Sequence, residues 1–413
     1  MTIYYTLKRF IAIGIIVIAG IVISLLSTVF SENFHHPVIF IAGYMGTQLK
    51  YQLHKAKTSP FFCQKNLYTS RSLWLDAYQA FSPVKKYCWL HYLSLEYDPW
   101  TRTTKSPPGV QILVPPMGDT ASIEYISPFP FQVRPTEYYV NIINSLEQLG
   151  YSRGINIFGA PYDWRKSPHE QDEFFESLRY LVQDIYEKNG GKRVILFGHS
   201  MGGNFAYLFL RKQNIYWKNH YIRAVVFAAS PWGGNFKHMY DYLYEDDFAA
   251  DLIPEFRQVE RTYSSLAFLL PNKRIWGPDD VFLTTPTADY TAFNMEEYFA
   301  HLNHPNGYQM YLDTKDIMDP FLHPEVDIYC IPAVGYKTLR QVEMFTDNDK
   351  TERYTNYSQG DGFVNIESAL GCLNWFPSKQ YKFYLKLLDA SHLGMLRETE
   401  SVNFFTNLIY SLP

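Results

Sequence analysis

The chain has little of what marks several large classes of protein. It holds only 4 Cys in 413 residues, and 37 Lys and Arg against 41 Asp and Glu leave a net charge of −4. Basic residues cluster no further than short pairs such as Lys85-Lys86, so the electrostatic footprint of a nucleic-acid binder is missing and no polyanionic substrate is indicated. There is no C-x-x-C spacing, and His301 with His304, or His35 with His36, have no convincing companions. Zinc-site patterns are therefore absent, and nothing in the sequence asks for a metal or a diffusible cofactor. Internal repeats and low-complexity tracts are also lacking, which excludes solenoids and long biased arms.

What is present is apolar and aromatic. With 47% hydrophobic and 17% aromatic residues, the chain can bury a large core, as one α/β domain with insertions or as two domains. At the N-terminus Lys8 and Arg9 precede an uncharged apolar stretch from Phe10 to Phe30, followed by Ser31, Glu32 and Asn33. Residues 1–31 therefore read as a signal peptide or a signal anchor. The stretch is longer than the usual apolar region of a cleaved signal and long enough to span a bilayer, while Val29-Phe30-Ser31 offers a passable cleavage site. In a secretory chain the cysteines are expected to be paired, and pairing sequence neighbours is the simplest of three connectivities. Asn356-Tyr357-Ser358 is a glycosylation sequon, expected in a lumenal surface loop.

Short β-branched and aromatic runs recur at Val38–Ile41, Val110–Val114, Ile155–Phe158, Val194–Phe197, Ala224–Phe227, Val326–Ile331 and Tyr381–Leu388. Helical periods lie between several of them; the clearest puts Phe174, Phe175, Leu178, Leu181, Val182, Ile185 and Tyr186 on one face and closes at Asn189-Gly190. This alternation predicts a doubly wound α/β core within residues 32–413. Two segments interrupt it and read as caps over the sheet. In the first, about residues 55–105, Trp74, Leu75, Tyr78 and Phe81 have helical spacing, a stripe that packs against the core or, for a lipid substrate, forms a membrane-docking surface. In the second, about 236–325, Phe256, Val259, Tyr263, Leu266 and Leu270 oppose a polar face of Glu255, Arg257, Glu260 and Arg261.

The chemistry centres on Ser200. It stands in Gly198-His199-Ser200-Met201-Gly202, directly after the run Val194–Phe197 and before the helical segment Gly203–Leu210. Strand, sharp turn and helix are the setting of a nucleophile elbow, whose glycines let the two backbones approach. A serine hydroxyl needs a base, and the base needs a carboxylate to hold its tautomer. In such folds the acid and then the histidine follow the serine along the chain. His392 in Asp389-Ala390-Ser391-His392-Leu393-Gly394 is the histidine that follows the last strand-like run. For the acid, Asp361 between two glycines competes with Asp389, which would have to fold back from the loop of His392. The tetrahedral oxyanion requires preorganised backbone donors. The amides of Met201 and of Tyr44, in Ala42-Gly43-Tyr44-Met45-Gly46, are the candidates.

At these residues the chain resembles the lecithin:cholesterol acyltransferase family, most closely its lysosomal phospholipase A2 (1-O-acylceramide synthase) branch. The resemblance runs from His36 to the end. Its most specific stretches are Gly159-Ala160-Pro161-Tyr162-Asp163-Trp164-Arg165, Gly198 to Gly202, Ser230-Pro231-Trp232-Gly233-Gly234, Gly360-Asp361-Gly362-Phe363-Val364-Asn365 and Ser391 to Leu396. It implies an α/β-hydrolase with a disulfide-bounded membrane-binding cap and a lid, a Ser200, Asp361 and His392 triad, and disulfides Cys63–Cys88 and Cys330–Cys372. It further implies that Lys237 lies near the lipid head group, that phospholipid membranes or lipoprotein-like particles are the partners, that a lipid alcohol can accept the acyl group, and that the enzyme works in the lysosomal lumen or outside the cell. The chain departs from the family pattern at Ala42, where the family has proline, at Ser230, where it has alanine, and at Phe363, where it has threonine. A plain lipase or esterase without transfer, or a lipid-binding protein without catalysis, are the rival readings.

Overall fold

A computed structural model describes residues 35–57, 60–243, 255–345 and 353–412; the leader expected at residues 1–31 lies outside them. Six strands form the central sheet: β1 (Val38–Ile41), β2 (Ile157–Gly159), β3 (Val194–His199), β4 (Ile222–Ala228), β5 (Ile328–Ile331) and β6 (Phe383–Leu385). Their order is β6-β5-β4-β3-β1-β2, and every neighbouring pair is parallel. All residues of β1, β3, β4 and β5 are buried, as unbroken apolar runs must be when helices cover both faces. Successive side chains divide between two cores. Val38, Phe40, Ile195 and Phe197 pack with helices α1 (Val140–Gln148) and α4 (Thr399–Ser411), whereas Ile39, Ile41 and Leu196 pack with α2 (Asp172–Lys188) and α3 (Met201–Arg211). The predicted stripe of α2 holds, with Phe174, Phe175, Leu178, Val182 and Ile185 buried.

Two expected strands behave differently. Val110–Leu113 leaves the parallel sheet and pairs antiparallel with Leu49–Leu53, which in turn pairs with Leu67–Trp74. Its burial is one-sided, with Gln111 exposed, which suits an antiparallel sheet and not a doubly covered one. The run Tyr381–Leu388 is broken into β6 and a two-residue strand, Leu388–Asp389. Its partner chain is interrupted at Pro332, between β5 and Ala333–Val334, because proline has no N–H for the ladder.

The two segments that interrupt the alternation touch each other. The first carries the helix Lys85–Leu93, joined to the preceding loop by a Cys63–Cys88 disulfide; the second disulfide is Cys330–Cys372. Lys86 pairs with Glu255 at 2.6 Å, and the Leu95 amide donates to Thr262 Oγ1 at 3.0 Å. The single amphipathic helix expected in the second insertion is two short ones, Phe256–Glu260 and Ser264–Phe268. Its charged side is not solvated: Arg257 is 4% exposed and Glu260 is fully buried. Arg257 donates to the Asp241 carbonyl and Glu260 accepts from Tyr44, so these charges are held inside by hydrogen bonds. The sheet order and the elbow after β3 make this an α/β-hydrolase fold.

Candidate active site

Ser200 sits at the carboxyl end of β3 with φ +55° and ψ −131°, a left-handed backbone that a serine adopts only where the surroundings impose it. The imposition is visible in the flanking glycines. A Cβ at Gly202 would stand 2.2 Å from the Ile41 carbonyl oxygen, and one at Gly198 would stand 2.6 Å from the Gly202 carbonyl oxygen. Only bare backbone fits there, so β1, β3 and α3 converge and carry Ser200 to the top of the sheet. Met201 is the first residue of α3, placing its amide among the helix N-terminal donors that no carbonyl of the helix satisfies.

Asp361 and His392 arrive from separate excursions and meet. Asp361 ends the antiparallel pair Tyr336–Met344 and Arg353–Gly360, while His392 follows Leu388–Asp389. His392 Nδ1 lies 2.7 Å from Asp361 Oδ2. The other carboxylate oxygen, Oδ1, accepts the backbone N–H groups of Phe363 at 2.9 Å and Val364 at 2.6 Å. Asp361 is 1% exposed, so both oxygens are satisfied inside the protein. The competing Asp389 instead lies against Gly335, where a Cβ would meet its Oδ1 at 2.1 Å. Phe363 stacks on the His392 ring at 5.2 Å between centroids and makes a T-shaped contact with His238 at 5.6 Å.

The stretch Gly159 to Arg165 braces this site from beneath. Tyr162 donates to the Ala42 carbonyl at 2.8 Å and Trp164 to the Thr47 carbonyl at 2.9 Å, on either side of Tyr44. Arg165 binds both carboxylate oxygens of Asp163, at 2.9 and 2.7 Å, and reaches the Leu93 carbonyl of the first insertion at 3.0 Å. Burial by itself would raise the Asp163 carboxyl, but the charge and hydrogen bonds of Arg165 prevail and hold it below the ordinary carboxylate range.

The residues expected to meet lipid fall out unevenly. Lys237, on the helix Phe236–Leu243, lies 3.0 Å from Asp241 and with its ammonium 5.8 Å from the centre of the Phe363 ring, which stacks on His392. Trp74 does not face lipid. It is 2% exposed, packs with Trp89 and Phe256 in a cluster of three mutually stacked rings, and donates its indole N–H to the Met45 carbonyl at 2.8 Å. Leu75 is half-buried against the core, its amide bound to Ile126. The helical stripe fails because Leu67–Trp74 is a strand and the helix begins only at Ala77. Tyr78 and Phe81 remain exposed, at 64% and 54%. Asn356 is exposed too, but on a strand and not in a loop.

Three residues of the site's surroundings were not singled out from sequence. Tyr44 donates to Glu260 at 3.0 Å, and the His238 ring lies edge-on to Tyr44 and bonds Asp241 at 3.0 Å. His238 and Asp241 at i and i+3 on a helix were a legible pair. Glu260 had no signal, since it occupies the apparent polar side of its segment. Among the described residues there is no cluster of His, Cys, Asp and Glu able to hold a metal.

A family model for lecithin:cholesterol acyltransferase matches residues 68–320. Over 384 residues the chain is 33% identical to the lysosomal phospholipase A and acyltransferase of Rattus norvegicus, covering 92% of this chain and 91% of the relative. It is 30% identical over 382 residues to the phosphatidylcholine-sterol acyltransferase of Gallus gallus, covering 91% and 89%. The crystal structure of a Tle4-Tli4 complex superposes with a TM-score of 0.55 at 11% identity, over 92% of this chain and 100% of that one, which is a likeness of fold alone.

Proposed function

Because the chain belongs to the lecithin:cholesterol acyltransferase family, we propose that Ser200, His392 and Asp361 are the nucleophile, base and acid of its reaction. The protein is a phospholipid acyl hydrolase and O-acyltransferase. The observation that supports the residue assignment best is the Asp361–His392 pairing at 2.7 Å in a protein whose Ser200 stands on an elbow.

Asp361 holds the proton on His392 Nδ1, leaving Nε2 as the acceptor. Nε2 takes the Ser200 proton as Oγ attacks the ester carbonyl of a phospholipid. The resulting oxyanion is held by the Tyr44 and Met201 amides. Collapse breaks the ester C–O bond, the imidazolium returns its proton to the leaving alcohol, and an acyl-enzyme remains. Water or a lipid alcohol then gives its proton to His392 and attacks the acyl carbon, releasing a fatty acid or a new ester and restoring Ser200. No step draws on a metal or a cofactor.

Residues 55–105 act as the cap and about 236–325 as the lid of a hydrolase domain spanning 32–413. The cap meets the bilayer through exposed apolar residues that include Phe61, Tyr78 and Phe81, which are 86%, 64% and 54% exposed. Lys237 supplies positive charge for the phosphate of the head group, and Trp74 and Leu75 support the cap from within. The chain works in the lumen of the secretory route, as a lysosomal or extracellular enzyme, with Asn356 available for glycosylation. Among the described residues no helix is long and apolar enough to cross a membrane.

Incubating the protein with phospholipid vesicles, with and without a sterol or ceramide, and identifying the products tests this reading. Lysophospholipid with fatty acid, and an acylated alcohol when the acceptor is supplied, is the expected result. Hydrolysis without any acylated alcohol would reduce the protein to a plain lipase.

A further inference from the structure

A buried hydrogen-bonded chain crosses from the Gly43–Tyr44 turn to the histidine loop through two side chains that the reaction itself does not use. The Gly43 amide donates to Tyr138 Oη at 2.8 Å, Tyr138 Oη lies 2.6 Å from His199 Nδ1, and His199 Nε2 lies 3.0 Å from the His392 carbonyl oxygen. We infer that Tyr138 and His199 are positioning residues of the acyl-transfer reaction, holding the oxyanion turn, the elbow and the His392 loop in one register. The inference rests on the triad reading given above.

The position of each proton follows by elimination. A carbonyl oxygen can only accept, so His199 Nε2 carries a hydrogen. A neutral imidazole then offers a lone pair at Nδ1. Tyr138 Oη already accepts from Gly43, so its own hydrogen goes to that lone pair. Every donor and acceptor is used once, and any change of protonation would leave a group unmatched. Burial pushes the His199 imidazole well below its ordinary range and the Tyr138 phenol above its own, so both stay neutral.

A second line runs alongside the first. The His199 amide donates to Tyr139 Oη at 3.1 Å, and Tyr139 donates to the Ile41 carbonyl at 2.8 Å. Adjacent tyrosines on one segment thus bind the end of β1 and the residue before Ser200. The fit is close: a Cβ at Gly43 would stand 2.7 Å from the Ser200 Cβ and 3.0 Å from Tyr138 Oη. The backbone of His392 is pinned on both sides, its N–H to the Asp361 carbonyl at 2.8 Å and its carbonyl to His199. Freeing that carbonyl removes one of the two backbone restraints on the catalytic imidazole, while freeing the Gly43 amide loosens the turn that carries the Tyr44 amide. Misplacement by about 1 Å is enough to cost about a hundredfold in rate.

The test compares wild type with Tyr138→Phe, His199→Leu, His199→Gln and the double variant Tyr138→Phe with His199→Leu, using a soluble ester and counting active sites with a fluorophosphonate that labels Ser200. Per titrated site, kcat should fall about 10- to 100-fold in Tyr138→Phe and His199→Leu, with KM within about threefold of wild type. The double variant should be little worse than either single one, because the pair acts through one chain of bonds. His199→Gln, which keeps a donor for the His392 carbonyl, should recover at least about threefold over His199→Leu. Rates per site within about twofold of wild type, or losses that multiply in the double variant, would overturn the inference. So would a lowered melting temperature with an unchanged kcat, or failure of both single variants to yield any titratable site, since the pair would then serve folding alone. If wild type itself is not labelled at Ser200, it is the triad reading that fails.

Discussion

His392 and Asp361 are joined twice, side chain to side chain at 2.7 Å and by the His392 amide to the Asp361 carbonyl at 2.8 Å. The second bond makes the first one testable in isolation. In Asp361→Asn the backbone bond survives, and the side-chain oxygen stays with the Phe363 and Val364 amides that Oδ1 now accepts. The amide nitrogen must then point at His392 and can only donate. Nδ1 loses its proton, Nε2 gains one, and the ring can no longer accept from Ser200. We expect kcat to fall by about 10³- to 10⁴-fold with little change in melting temperature. A loss below about tenfold would remove Asp361 from the mechanism.

The Cys63–Cys88 bond should matter most for the loop it anchors, where Phe61, Phe62, Gln64, Lys65 and Asn66 are all exposed. Cys63–Cys88 spans 25 residues in sequence and Cys330–Cys372 spans 42, so chain entropy assigns them about 3.5 and 4 kcal/mol. Cys63→Ala with Cys88→Ala should make the segment around residues 60–93 the first site of proteolysis. Cleavage elsewhere, or unchanged resistance, would show that the Lys86–Glu255 and Arg165–Leu93 contacts hold it without the bond.

Much of this architecture was legible in the residues. Unbroken apolar runs such as Val194–Phe197 announced buried parallel strands, and the glycines around Ser200 announced close backbone approach. The hidden part has two causes: sequence pattern records neither where a polar group finds its partner nor which strands pair. Glu260 and Arg257 read as a solvated face, yet Tyr44 and the Asp241 carbonyl draw them inside. Trp74 read as one turn of a lipid-facing helix, yet strand pairing turns it onto Trp89 and Phe256. Without the family resemblance, residue pattern alone left Asp361 level with Asp389; the antiparallel pairing of Tyr336–Met344 with Arg353–Gly360, a tertiary feature, sets Asp361 beside His392.

The Asp163–Arg165 pair gives a dependence of stability on pH with a defined sign. The folded carboxyl of Asp163 lies below its unfolded value, so its contribution is complete above the unfolded value of about 3.9 and is lost as pH falls through the folded value. Near neutral pH, Asp163→Asn leaves Arg165 buried and uncompensated and should cost about 3–5 kcal/mol. The melting curves of wild type and variant should converge as pH drops below about 4. A constant gap across that range would show that the pair does not carry the difference.

Exposure separates two roles within the first insertion. Trp74→Ser removes a side chain that is 2% exposed and should cost about 3–5 kcal/mol, lowering turnover of vesicles and of a soluble ester together. Tyr78→Ser with Phe81→Ser removes side chains that are 64% and 54% exposed. That pair should leave the melting temperature and soluble-ester turnover intact while weakening vesicle binding about tenfold or more. Unaltered vesicle binding would place the membrane contact on another surface.

The central claim is that Ser200 carries the acyl group, and one measurement meets it directly. Wild-type protein is treated with a fluorophosphonate until phospholipid turnover stops, then digested and examined by mass spectrometry. One phosphonyl adduct per chain, on the peptide that contains Ser200, with loss of hydrolysis and transfer in step with labelling, is the result expected. Full labelling elsewhere, or turnover that persists once Ser200 is modified, would contradict the account.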